Sequence, residues 1–103
     1  MKTIKVTYTV KSGFAQKNQE NIQVFMRELE KINNPDIRYI AYLGEDGKTF
    51  THVATYQSDE AQKLLLELGS FKTFQQQRDE SGLEVLPKIE AIKAVASSYS
   101  VFN

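Results

Sequence analysis

The feature that most constrains the fold of this chain is an alternating strand that ends on an aromatic residue and passes directly into a capped helix. The segment Thr49–Tyr56 alternates polar and apolar residues, as in a half-buried strand. Ser58 follows as a good N-cap, and the next two residues are acidic, which suits the positive end of a helix. The apolar stripe of this helix consists of Ala61, Leu64, Leu65 and Leu68. The segment therefore predicts a strand followed by a helix that packs on a sheet.

After this helix we expect a break and a further short helix. Gly69 is a natural C-terminal stop, and Ser70 is suited to cap the next helix. Phe71 and Phe74 lie three residues apart on it, on one helical face. The segment thus predicts two consecutive helical pieces over the sheet.

The N-terminal half predicts a strand, a helix and a second strand. Ile4, Val6, Tyr8 and Val10 alternate with polar residues. From Phe14 to Ile32 the apolar residues recur at helical spacing, and Asn33-Asn34-Pro35 ends the helix. The strand Ile37–Leu43 joins the strand Thr49–Tyr56 through an Asp46-Gly47 turn, which predicts a hairpin.

The last part of the chain predicts one long strand. Gly82 and Pro87 indicate a loop, and residues 88–101 follow as a weakly alternating strand. The predicted order is β-α-β-β-α-β, so residues 1–103 form one ferredoxin-like α+β domain, with two helices on one face of a four-stranded antiparallel sheet. An open face and a long exposed strand predict a homodimer joined through that face and the C-terminal strand. The alternative is a monomer with a frayed tail.

Composition argues against several classes of partner. Thirteen basic residues balance thirteen acidic ones, so no charge footprint for nucleic acid or an anionic membrane is expected. No apolar run has the length of a membrane span or a signal peptide, which favours a cytoplasmic location. With no cysteine and one histidine, we expect no metal site, and no dinucleotide or Walker loop is present.

The RNA-recognition motif shares the predicted element order and is the main alternative from another class. The segment 48–53 superficially resembles its third-strand signature. However, Thr49, Thr51 and Thr55 occupy positions where glycines and a stacking aromatic are needed, and Lys5 stands where strand one needs an aromatic. The side chains therefore argue against RNA binding.

The layout resembles the antibiotic biosynthesis monooxygenase family within the dimeric α+β barrel superfamily. The resemblance covers nearly the whole chain and is sharpest from Thr55 to Phe74. Tyr56 stands where that family usually has Trp, Ala54 where it has Glu, and Leu65 where it has a helical His. The family's order of strands and helices is kept, while its common polar residues are replaced.

The resemblance implies a dimeric α+β barrel with a mostly apolar cavity in each subunit. It also implies a cofactor-independent monooxygenase acting on a small phenolic or polycyclic aromatic substrate. The haem-degrading branch of the family depends on a Trp, which this chain lacks. The replacements at Ala54 and Leu65 favour an alternative, a non-catalytic domain that binds a small ligand or regulates another protein.

His52 is the candidate catalytic base, because it is the only side chain in the chain with an ordinary pKa near neutrality. The alternative is a partly buried strand histidine that is hydrogen-bonded to a neighbour. Tyr8, Tyr39 and Tyr56 are candidates for positioning an aromatic ligand, and each has a competing role in packing. The remaining candidate substrate-binding residues are Phe50, Leu65, Phe71 and Phe74. Arg38 and Arg78 are possible partners of a carboxylate, although solvated arginines are commoner.

Overall fold

The computed structural model describes residues 1–102 and contains a four-stranded antiparallel sheet with three α-helices. The strands are β1 (Lys2–Thr9), β2 (Ile37–Leu43), β3 (Thr49–Tyr56) and β4 (Val85–Ile92). The helices are α1 (Ala15–Ile32), α2 (Asp59–Glu67) and α3 (Gly69–Glu80). The sheet order is β2-β3-β1-β4, which confirms the predicted β-α-β-β-α-β fold.

Strand β3 lies at the centre of the fold and sets which side chains reach the core. It pairs with β1 on one side and β2 on the other, so Val6, His52 and Ala41 are aligned across three strands. Burial alternates strictly along β3, and its buried residues are Phe50, His52, Ala54 and Tyr56. Because opposed residues of an antiparallel pair point to the same face, the side chains of Val6, His52 and Ala41 all point to the helix-covered face.

The helix boundaries were predicted well except at the junction of α2 and α3. Ser58 caps α2 as expected, since its Oγ accepts a hydrogen bond of 3.2 Å from the backbone nitrogen of Ala61. The predicted stop at Gly69 and cap at Ser70 are wrong. Leu68, with an extended backbone, separates the helices, and Gly69 already begins α3. The Ser70 hydroxyl instead donates to Oε1 of Glu28 on α1 at 2.8 Å.

The predicted C-terminal strand is also wrong in extent, because β4 begins at Val85 and ends at Ile92. Its only neighbour is β1, and the last pair of that ladder joins Ile92 to Thr3 near the start of β1. Beyond Ile92, β1 provides almost no further residues for pairing, so residues 93–102 form no strand. Pro87 is tolerated inside β4 because an edge strand leaves one side of its backbone unpaired.

The core lies between the sheet and the helices and is rich in aromatic rings. The ring of Phe25 on α1 meets Tyr39 and Phe71 edge to face, with centroids 5.4 and 5.1 Å apart. Phe74 stacks on His52 with centroids 5.4 Å apart. Aromatic pairs of this geometry stabilise beyond their buried area by about 0.5–1.5 kcal/mol each. The cluster therefore fixes α1 and α3 over the part of the sheet that carries His52.

Two general features limit the kinds of site that this fold offers. Within residues 1–102, no helix is long and apolar enough to cross a membrane. The same residues contain no group of three or more His, Cys, Asp and Glu side chains arranged to hold a metal ion.

Candidate functional site

A cavity of about 230 Å³ lies between the sheet and the helices α2 and α3, and we call it the central cavity. It is lined by Ile4, Val6, Tyr39, His52, Ala54, Tyr56, Gln62, Leu66, Phe71, Gln75 and Ile89. A recess of about 80 Å³ shares several of these residues and adds Phe74, Arg78 and Pro87. Pockets for drug-sized ligands measure roughly 300–1,000 Å³. The central cavity is therefore suited to a molecule of one or two rings.

His52 is held by tyrosine hydroxyls at both ring nitrogens. Its Nε2 lies 2.8 Å from the Tyr8 hydroxyl, and its Nδ1 lies 2.6 Å from the Tyr39 hydroxyl. The side chain is 3% exposed. Burial, with a smaller contribution from the Arg78 charge, lowers the pKa of His52 to about 3. His52 is therefore a neutral imidazole at physiological pH, with one N–H donor and one acceptor nitrogen.

Asn18 extends this network to helix α1. Its Nδ2 donates to the Tyr8 hydroxyl at 2.8 Å, and its side chain is fully buried. Its Oδ1 is buried without a hydrogen-bond partner among the described residues. We call the line of Asn18, Tyr8, His52 and Tyr39 the polar chain. Sequence reasoning missed Asn18, although an asparagine four residues before Ile22 on the apolar stripe of α1 was the available signal.

The tyrosines near the cavity remain neutral at physiological pH. Burial raises the pKa of both Tyr8 and Tyr39 well above the usual value, against the lowering effect of the Arg78 charge. Burial alone raises the pKa of Tyr56 to about 12. No hydrogen bond joins the Tyr56 hydroxyl to another described residue, and its ring lines the cavity. Its hydroxyl is therefore available to a ligand.

Arg78 brings a positive charge to the recess. Its side chain is 11% exposed, and its Nε donates to the exposed carboxylate of Asp79 at 2.9 Å. The guanidinium carbon lies 5.2 Å from the ring centre of Tyr8 and 5.4 Å from that of Phe74. Among residues 1–102, no acceptor binds its two terminal nitrogens. These N–H groups are free to bind an anionic ligand atom.

The structure brings some of the predicted site residues to the cavity and not others. His52, Tyr39, Tyr56 and Phe71 line the central cavity, and Phe74 lines the recess. The other predicted residues, Tyr8, Phe50 and Leu65, do not line the cavity. Tyr8 is fully buried behind His52, while Phe50 borders a separate surface pocket. Leu65 is a core residue of α2, and the neighbouring Leu66 lines the cavity instead.

Arg38 lies far from this site, on the opposite face of the sheet. Its Nε donates to the backbone oxygen of Val101 at 3.1 Å, and its guanidinium carbon is 5.3 Å from the ring centre of Phe102. Arg38 therefore contacts the C-terminal segment, and Arg78 is the arginine that borders the recess.

Comparison with known proteins identifies the fold. A structure from Bacteroides thetaiotaomicron, provisionally named an antibiotic biosynthesis monooxygenase, is similar with a TM-score of 0.82 and 8% identity, over 96% of this chain and 93% of that one. Proteins given the same provisional name are similar too. The one from Caulobacter crescentus has a TM-score of 0.76 and 18% identity, over 92% of this chain and 90% of that one. The one from Nitrosomonas europaea has a TM-score of 0.75 and 15% identity, over 93% of this chain and 100% of that one.

No protein-family model matches the sequence. No curated protein matches it either. The structural similarity confirms, at the level of the fold, the resemblance predicted from the sequence. This chain shares its fold with structures that carry the monooxygenase name.

Proposed function

We propose that this chain is a cofactor-independent, monooxygenase-like enzyme that oxidises a small phenolic aromatic molecule in the central cavity. The observation that carries the proposal is one polar edge, made by Tyr39, His52 and Arg78, on an otherwise mostly apolar cavity. Such a cavity suits a flat apolar ring with one oxygen atom directed at the polar edge. The fold shared with proteins named monooxygenases supports the reaction class by analogy.

The reaction proposed is the oxidation of a phenol to a quinone by molecular oxygen. The phenol loses its O–H proton, and the electron-rich ring carbon opposite the oxygen forms a bond to O₂. That carbon loses its hydrogen as the O–O bond breaks, one oxygen atom stays on the ring as the new carbonyl, and the other leaves as water. The phenol O–H proton, released to solvent, and the hydrogen lost from the ring carbon are matched by the two hydrogens of the water. The substrate supplies all four electrons that reduce O₂, so the equation balances as phenol plus O₂ giving quinone plus water.

Arg78 is the group proposed to stabilise the phenolate. Its terminal N–H groups have no protein acceptor among the described residues, and Arg78 lines the recess together with Tyr39 and His52. A cation within a few ångströms lowers the pKa of a phenol, particularly where water is excluded. The bound substrate would therefore carry more of its reactive, ionised form than it does in water.

His52, the catalytic base predicted from the sequence, is proposed to act through Tyr39 as a neutral hydrogen-bond partner, and the phenol proton leaves to solvent. A free phenol has a pKa near 10, and His52 has a pKa of about 3. A fully formed imidazolium would therefore lie about 10 kcal/mol uphill, at 1.36 kcal/mol per pKa unit. His52 therefore stays neutral and polarises the Tyr39 hydroxyl, which donates to the phenolate oxygen beside the Arg78 charge.

The second candidate function is non-catalytic binding of the same kind of ligand. The observation that favours it is the occupation of both His52 nitrogens by tyrosine hydroxyls. A base whose lone pair is already bound must exchange partners before it accepts a proton. The polar edge would then serve only to orient the ligand.

Oxygen uptake distinguishes the two candidates. Purified protein is mixed with a panel of one- and two-ring phenols, and oxygen consumption is followed together with incorporation of label from ¹⁸O₂. We expect uptake with one labelled atom in the product, and a loss of at least tenfold in His52→Gln and Tyr39→Phe. Tyr42→Phe is the matched control, because Tyr42 lies on the same strand and is 53% exposed.

Binding without uptake by any of the phenols would reject the enzyme and leave the binding function. Failure of every phenol to bind would reject both. Equal losses in Tyr39→Phe and Tyr42→Phe would show that the polar edge is not the site of reaction.

We also propose that two copies associate through the face of the sheet opposite the helices. Among residues 1–102 no helix covers this face, and it exposes Ile40 and Tyr42, which are 49% and 53% accessible. On β4, Ile92 pairs with Thr3 on the same open face and is 39% exposed. A second copy covering both regions would bury this apolar surface. Residues 93–102 would contribute as an irregular segment rather than as the predicted strand.

A further inference from the structure

The polar chain has a direction that is set at its buried end. Asn18 donates through Nδ2 to the Tyr8 oxygen, and the only other polar contact of that hydroxyl is Nε2 of His52, 2.8 Å away. Among residues 1–102 the Tyr8 hydrogen has no other acceptor, so it is directed to Nε2, which must be unprotonated in order to accept it. Since a neutral imidazole carries one N–H, the proton of His52 lies on Nδ1.

The direction continues to the cavity. With its proton on Nδ1, His52 donates to the Tyr39 oxygen, 2.6 Å away. The hydrogen of Tyr39 itself is then not used within the polar chain. Tyr39 lines both the central cavity and the recess, so this O–H is available as a donor to a ligand.

The opposite direction requires either that the Asn18 amide is reversed or that the Tyr8 hydrogen loses its acceptor, and both leave a buried donor without a partner. In the observed arrangement, one carbonyl acceptor, Oδ1, is buried without a partner. Reversal would satisfy that oxygen but bury an NH₂ group with two unpartnered donors. Buried N–H groups without a partner are rarer than under-satisfied carbonyls, and each unsatisfied group costs about 1–3 kcal/mol.

We propose that Asn18 is a positioning residue that fixes His52 as its Nδ1–H tautomer, so that the cavity presents hydrogen-bond donors and selects an aromatic ligand with an oxyanion. The second donor is the Arg78 guanidinium, which borders the same recess. The inference rests on the proposed binding of an aromatic ligand in the central cavity, but it does not depend on oxidation of that ligand.

The tautomer is directly measurable, because this chain contains a single histidine. In protein labelled with ¹⁵N-histidine, two-bond ¹H–¹⁵N correlation spectra give one imidazole pattern, which identifies the protonated nitrogen. We expect Nδ1 to be protonated in the wild-type protein. A pattern with Nε2 protonated, or rapid exchange between both forms, would overturn the proposal.

The variant Asn18→Leu tests whether Asn18 sets the tautomer. Leucine is similar in size and donates no hydrogen bond. It removes the bond from Asn18 that strengthens donation from Tyr8 to Nε2, so the Nε2–H form should become more populated. The matched control is Asn21→Leu, since Asn21 is on the same helix and bonds to Gln77 at 2.7 Å, outside the polar chain. An unchanged tautomer in a folded Asn18→Leu protein would refute the role of Asn18.

The donor character of the cavity is tested with two ligands of equal size. Pentafluorophenol is ionised at neutral pH and presents an oxyanion, whereas pentafluoroaniline presents an uncharged N–H donor. Both are followed by ¹⁹F NMR titration. We expect the phenolate to bind at least tenfold more tightly, as for a hydrogen bond to a charged group. Equal affinities, or tighter binding of the aniline, would contradict the proposal.

The variants complete the design and separate this inference from the proposed enzyme activity. Asn18→Leu should reduce phenolate affinity about tenfold and change aniline affinity by less than about threefold, as expected for loss of one charge-assisted hydrogen bond. Asn21→Leu should change neither, and an equal loss in the two variants would refute the proposal. If Asn18→Leu does not fold, Tyr8→Phe interrupts the same chain and should give the same selective loss. Absence of oxygen uptake would reject the enzyme while leaving the tautomer and the ligand preference intact.

Discussion

His52 makes the stability of this protein depend on pH in a predictable way. Its pKa is about 3 in the folded state and 6.5 in a solvated chain. Between these values the unfolded chain binds a proton that the folded protein does not bind. The free energy of unfolding therefore rises with pH across this window, and the contribution is lost as the pH falls below 6.5.

The magnitude follows from the two pKa values. At pH 5 the unfolded histidine is almost fully protonated, and the folded one is almost fully neutral. The linkage relation gives a loss of about 2 kcal/mol at pH 5 relative to pH 7.5, from this one side chain. For a domain of about 100 residues, this corresponds to a fall in Tm of roughly 8–16 °C.

The assay is urea unfolding at both pH values, for the wild-type protein and for His52→Gln. Glutamine does not titrate, so the variant retains the pH dependence of every other group and lacks that of His52. We expect the difference in unfolding free energy between pH 7.5 and pH 5 to be smaller in the variant by about 2 kcal/mol. Parallel pH dependences in the two proteins would refute the argument, because they would mean that folded His52 takes up a proton as readily as the unfolded chain does.

Two further predictions concern the frame around the site. The Oγ of Ser58 caps α2 by accepting a hydrogen bond from the backbone nitrogen of Ala61. Ser58→Ala removes this bond and should lower the unfolding free energy by about 1 kcal/mol. An unchanged urea midpoint would contradict this role of Ser58. Ile40→Lys places a charge on the open sheet face and should halve the molar mass measured by light scattering. The control Lys63→Glu, on the exposed side of α2, should leave the molar mass unchanged. A monomeric wild-type protein would contradict the proposed dimer.

Several features were predictable because they depend only on local chemistry. The alternation along β3 placed His52 on the buried face with Phe50, Ala54 and Tyr56, and the structure confirms this arrangement. The Asn33-Asn34-Pro35 stop was equally local, and α1 ends at Ile32 with Asn33 in the left-handed conformation. Side-chain period and backbone sterics determine these features within a few residues of sequence.

Features that depend on a distant partner were not predictable in the same way. The end of β4 is set by the start of β1, because a strand needs a neighbour for its backbone hydrogen bonds and Ile92 pairs with Thr3, far away along the chain. The tail 88–101 contained enough apolar residues to suggest a long strand, but nothing in its own sequence records where β1 starts.

The sequence by itself determined the order of the elements and the face to which each candidate side chain points, since both follow from short-range periodicity. Only the tertiary structure decided that Asn18 and Tyr39 both belong to the environment of His52, and that Arg78 rather than Arg38 faces the cavity. The low pKa of His52 was likewise settled by packing, because desolvation depends on everything that surrounds a group in space. A sequence records which groups are present, but the packed fold decides which of them meet and how far water is excluded from them.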